Sequence, residues 1–207
     1  MEDKLHNYGV DDHRRRFAAW AAATAARSSK NCRFTRNQGI SIIERSGLSE
    51  LTAWQDLPIA DDFDEAHREL RKAVRKTAAC VLDSTPETFT HGVAAKLINV
   101  YLKCLFLSGP GSLSDVSIQE RANALHPPID RLLLGNLAAR DVGGRSKFWR
   151  KQWLKGWSNF NSEDYQATID NIRSVTCGAL WKIEQYWLDP NRGRAESVAL
   201  VNSGIDM

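Results

Sequence analysis

The chain has 207 residues, of which 43% are hydrophobic and 26% charged, and its formal net charge is +3; this is ordinary for a soluble globular protein and long enough for one good core or two small lobes sharing a cleft. No apolar run approaches 18 residues, which excludes a membrane span. The opening MEDKLHNYGVDDHRRR has no apolar stretch of the secretory kind, so the expected location is the cytoplasm. The four cysteines, Cys32, Cys80, Cys104 and Cys177, are far apart and form no CxxC pair, so no metal or other cofactor is expected and they read as buried, reduced thiols.

Helical periodicity runs nearly throughout. Asp12 to Ser29 is alanine-rich, with Phe17, Trp20, Ala21 and Thr24 on one face. Thr35 to Gln38 matches a capping box, and the isoleucines that follow lead to a stop at Gly47. Asp61-Asp62 precede an amphipathic run to Leu82, whose apolar stripe is Phe63, Ala66, Leu70, Ala73 or Val74, and Thr77 to Val81. A helix follows in THGVAAKLINVYLK, Thr90 to Lys103. Beyond the loop Ser108 to Ser114 come a short helix, Val116 to Leu125, and another over Ile129 to Ala139 with proline in its first turn. Gly143-Gly144 marks a hinge. A basic, tryptophan-rich segment spans Arg145 to Trp157, a long terminal helix is expected over Ser162 to Trp187, and residues 188–207 read as a mobile tail. The fold class is all-α.

Two polar residues stand out against this background. On a helical wheel Lys96, Asn99 and Lys103 fall on the polar side of their helix, so the plain reading of Lys96 is a solvated charge. Gly92, just before the helix, would let a phosphate reach the free amides of the first turn. Asp130 is the only acid in Leu125 to Ala139, and its plain reading is a residue that meets the helix dipole.

Gly92-Val93-Ala94-Ala95-Lys96 together with Pro128-Ile129-Asp130 resembles the helix-hairpin-helix DNA glycosylase superfamily, over residues 62–140. Lys96 falls on the lysine of that family's Gly-Val-Gly-x-Lys register, and Asp130 on the aspartate of its Pro-Val-Asp element. The chain departs from the pattern in three places: Ala94 replaces the second hairpin glycine, the Lys-to-Asp connection is long, and Arg131-Leu132 stands where a histidine often follows the aspartate. The connection is closer to the divergent, archaeal-type 8-oxoguanine glycosylases, and the missing cysteine cluster sets aside the iron–sulfur branch.

The resemblance implies two helical lobes around a cleft, one from residues 1–60 and 145–187 and the other from 61–144. It also implies a monomer acting on double-stranded DNA with a flipped base. Lys96 would attack C1′ and form a Schiff base, while Asp130 would stabilise positive charge on the sugar. DNA would be held by His91, Gly92, Ala94 and Lys103, and by Lys147, Arg150 and Lys151 of the basic segment. Trp20, Asn31, Arg33 and Gln38, at the first interhelical turn, are the candidate base pocket. The substrate would be an oxidised purine, or a hypermodified phage base such as glucosylated hydroxymethylcytosine. A non-catalytic DNA-binding module and an all-α interaction domain without a nucleic-acid role remain as competing readings.

Overall fold

Alanines set the first contact. The computed structural model describes residues 8–27, 29, 32–108 and 115–187, all-α with no strand among them; Asn31 and the proposed tail 188–207 lie outside that set. Helix α1 (Val10–Ala26) buries Ala18, Ala19, Ala22, Ala23 and Ala26, and these small side chains let it lie close along α2 (Arg36–Arg45) and α4 (His91–Leu102). The face expected to be buried is the wrong one: Phe17 and Trp20 are exposed and stack on each other at 6.0 Å.

The predicted capping box closes α2, with Thr35 Oγ1 accepting from the Gln38 amide, and Gly47 adopts φ +82° where the chain turns. Helix α3 (Phe63–Val81) turns Phe63, His67, Arg71, Val74 and Ala78 inward. Ala66, Leu70 and Ala73 instead line an apolar cavity of about 440 Å³ against residues 46–58. Helix α4 widens into a π-helical turn, Lys103–Leu107, at its end. Helices α5 (Val116–Ala124) and α6 (Arg131–Ala139) are joined by extended chain, and α6 packs on α7 (Ser146–Lys155). The helix over Ile129 to Ala139 therefore starts later than expected, because Pro127 and Pro128 hold the chain extended up to Asp130.

The terminal element is broken rather than continuous. Helix α8 (Ser162–Thr176) ends where Cys177 and Gly178 take positive φ, and the amide of Gly178 bonds back to the Arg173 carbonyl. The chain then re-enters as a 3-10 helix, Leu180–Trp187, against α5, α6 and α8.

One continuous buried cluster runs from Ala18 to Ile183. The expected lobe boundaries at 60/61 and 144/145 cut across it. The cysteines are also placed differently: all four are free, but only Cys32 is buried, Cys104 is half-buried, and Cys80 and Cys177 are exposed. No helix of the described residues is long and apolar enough to cross a membrane.

Candidate active site

Helix α4 is the centre of the molecule, and every residue from Gly92 to Asn99 is buried. Lys96 and Asn99 therefore do not lie on a solvated side, because α1, α3, α8 and the Trp157–Asn159 turn enclose the helix from several directions. Its start is closed as well. Thr90 Oγ1 accepts from the Val93 amide at 3.2 Å and donates to the Ser158 carbonyl at 2.8 Å. The Gly92 amide donates to the Phe160 carbonyl at 3.1 Å. A Cβ on Gly92 would stand 1.8 Å from the Trp157 carbonyl oxygen, so this glycine serves close backbone packing. Its amide is not open to a phosphate, and Ala94 is fully buried with its amide on the Thr90 carbonyl. Gly92 and Ala94 are thus not DNA contacts in this arrangement.

Asp130 is the N-cap of α6, and its Oδ1 accepts from the Leu133 amide at 2.8 Å. Lys96 lies 34 positions earlier, yet its Nζ donates to Asp130 Oδ2 at 3.2 Å. The same ammonium sits 4.9 Å from the ring centre of Trp157. Lys96 is 6% exposed. Burial pushes its amine below the ordinary lysine value, against the opposing charge and hydrogen bond of Asp130. The pair opens onto a cavity of about 460 Å³ walled by Arg131 and Leu132 on one side and residues 153–159 on the other.

A second set of polar residues ties α4 to the segment that delivers Asp130. Asn99, one turn after Lys96, donates through Nδ2 to the Pro127 carbonyl at 2.8 Å and to Tyr165 Oη at 2.9 Å. Its Oδ1 meets His67 Nε2 at 2.8 Å, and His67 Nδ1 meets Arg71 at 2.7 Å. His126 stands between Tyr165 Oη at 3.0 Å and Asp64 at 2.9 Å. Burial holds both histidines below their ordinary value, so both are neutral near pH 7. Their tautomers follow from these partners: each Nε2 carries the proton, and each Nδ1 accepts. Asp64 is raised by its burial, but the His126 and Arg173 hydrogen bonds outweigh this and hold it well below the usual carboxylate range.

The remaining candidates are dispersed. Lys103 pairs with Glu184 and lies 4.7 Å over the ring of Trp187. His91 is half-buried against Arg75 at 2.9 Å, and burial followed by the nearby arginines lowers its value to about 4. Lys147, Arg150 and Lys151 project from the exposed face of α7. Trp20, Arg33 and Gln38 do not line the Lys96 cavity. Trp20 borders a separate one with Tyr101 and Ile43, the Gln38 side chain returns to the Thr35 amide at 2.8 Å, and Arg33 is exposed.

Four residues at the pair escaped the sequence reading as site members. Trp157 lies under Lys96, and Trp187 Nε1 donates to Asp130 Oδ1 at 3.0 Å. The Arg131 guanidinium lies 4.8 Å from the ring centre of Trp153 on the rim. Arg131, Trp153 and Trp157 left a signal in sequence, a cation directly after Asp130 and two tryptophans of the basic run, and Trp187 left none. Among the described residues no group of three or more His, Cys, Asp or Glu is placed to hold a metal. No protein-family model matches the chain, and no curated protein or solved structure matches it either.

Proposed function

We propose that the protein is a DNA glycosylase with Schiff-base lyase capacity that acts on a damaged or modified base turned out of the helix. The observation that carries this is the buried Lys96–Asp130 pair, in contact at 3.2 Å and open to one cavity. An amine with a lowered proton affinity beside a carboxylate can be a nucleophile near neutral pH. In this mechanism the Asp130 carboxylate stabilises positive charge on the sugar as the glycosidic bond lengthens. Asp130 Oδ2 takes a proton from Lys96 Nζ, which forms a bond to C1′, while the electron pair of the glycosidic bond leaves with the base and the base takes that proton from Asp130. The regenerated carboxylate takes a second proton from the amine and passes it to O4′ as the ring opens, which gives a protonated Schiff base. Loss of a C2′ proton then expels the 3′ phosphate.

The surface around the cavity suits a nucleic acid. Leu132 and Leu154 are exposed at its mouth, Arg131 lies over the Trp153 ring at 4.8 Å, and Lys147, Arg150 and Lys151 extend the positive charge along α7. Cations and aromatics in this mixture hold phosphates and unstacked bases.

The test is borohydride trapping on duplexes that each carry one modified base, including 8-oxoguanine and glucosylated hydroxymethylcytosine. A covalent adduct that vanishes in Lys96→Gln supports the reading. Base release that survives Lys96→Gln and is lost in Asp130→Asn means a glycosylase without the lyase step. DNA binding with no release from any substrate refutes the enzyme and leaves a binding module.

A further inference from the structure

The two oxygens of Asp130 have separate partners. Oδ2 faces Lys96 Nζ at 3.2 Å. Oδ1 accepts from the Leu133 amide at 2.8 Å and from the indole Nε1 of Trp187 at 3.0 Å. An aspartate carboxyl turns easily about its last torsion, which is broad and two-fold. A backbone cap alone leaves that rotation soft, whereas a second donor on the same oxygen opposes it.

The indole is held in place for this contact. Lys103 Nζ lies 4.7 Å over its ring and pairs with Glu184. Asn136 Nδ2, on the helix that Asp130 caps, donates to the Tyr186 carbonyl at 2.8 Å. Trp181 Nε1 donates to Asn123 at 3.0 Å, and Leu180 and Ile183 are fully buried. The Leu180–Trp187 segment is therefore fastened to α4, α5 and α6, and its last side chain ends on the carboxylate.

We infer that Trp187 is a positioning residue for Asp130: its indole N–H holds Oδ1 and so keeps Oδ2 directed at Lys96. The consequence for turnover rests on the glycosylase reading, but the contact can be measured without it. Other charged groups around Asp130 are Lys96 from α4, Arg131 beside it on the cavity wall, and Lys103 and Glu184 behind the indole.

Trp187→Phe keeps a ring beneath Lys103 and deletes the donor. In ¹⁵N-labelled protein, the indole resonance absent from Trp187→Phe identifies Trp187 among the seven tryptophans. That resonance should move in Asp130→Asn and stay in place in Glu184→Gln. With a duplex containing an abasic site, Trp187→Phe should trap about 10- to 100-fold more slowly, the scale of a hydrogen bond to a charged acceptor. Trp187→His, which restores a ring N–H, should recover part of the rate. An indole resonance indifferent to Asp130→Asn, or trapping at the wild-type rate in Trp187→Phe, overturns the inference. If the wild type traps no DNA but the indole follows Asp130, the glycosylase reading fails and the positioning role stands.

Discussion

Replacing Gly92 by alanine tests whether the start of α4 is a phosphate seat or a packing contact. At an open helix start alanine gains up to about 1 kcal/mol over glycine. Here the added Cβ would lie 1.8 Å from the Trp157 carbonyl oxygen, 3.0 Å from the Trp157 carbonyl carbon and 3.2 Å from Phe160 Cβ. The obstacle is backbone, so no rotamer change relieves it, and the helix must retreat by about 1.6 Å to reach ordinary van der Waals contact. That retreat breaks the Gly92 amide bond to Phe160 and the Thr90 hydroxyl bond to Ser158, each worth about 1 kcal/mol. Overpacking adds about 1–3 kcal/mol, so the expected loss is about 3–5 kcal/mol, a large part of the ~5–15 kcal/mol that holds a domain together. Urea denaturation with linear extrapolation measures it. A Gly92→Ala protein that is as stable as the wild type but binds DNA less tightly would refute the packing argument and restore the phosphate seat.

Further outcomes follow from the same geometry. Asn99→Leu removes one hydrogen bond each from the Pro127 carbonyl, the Tyr165 hydroxyl and His67 Nε2 and should cost about 2–4 kcal/mol, whereas Tyr165→Phe should cost about half as much; equal losses in denaturation would argue against Asn99 as the junction. His67, His126 and His91 are all held below their ordinary value in the folded state. Their stabilising contribution is present above about pH 6.5 and is lost as pH falls toward the folded values, about 4 for His91. If all three take up a proton on unfolding, the slope reaches about 4 kcal/mol per pH unit, and urea midpoints that stay flat from pH 7 to 4.5 would contradict it. Changing Lys147, Arg150 and Lys151 together to alanine should weaken DNA binding and lower the salt slope by about 2–3. On the proposed reading it should leave the trapping rate at saturating DNA unchanged; an unaltered slope would exclude α7 from the proposed DNA contact.

Much of the helical plan can be read from local signals. Thr35 and Gln38 announce the start of α2, Gly47 its stop, and periodicity marks α3 and α4. The burial of α4 cannot be read this way. A helix wrapped on most sides carries Lys96 and Asn99 inside, and a wheel that assigns polar residues to water misplaces both. Likewise, Leu70 and Ala73 look like core while His67 and Arg71 occupy it, because His67 bonds to Asn99 on α4 and Arg71 bonds to His67 and lies over the Tyr165 ring on α8. The break at Cys177 and Gly178 is hidden within a pattern that stays helical on either side of it.

By itself the sequence determined the all-α class, most helix boundaries, and the two residues, Lys96 and Asp130, whose types suit one chemistry. Only the tertiary structure decided that they touch, that Gly92 is sealed against Trp157 and Phe160, and that Trp157 and Trp187 lie against the pair. The physical reason is range: capping, propensity and periodicity act over a few neighbouring residues, whereas contacts between residues 34 and 57 positions apart exist only once the helices have packed.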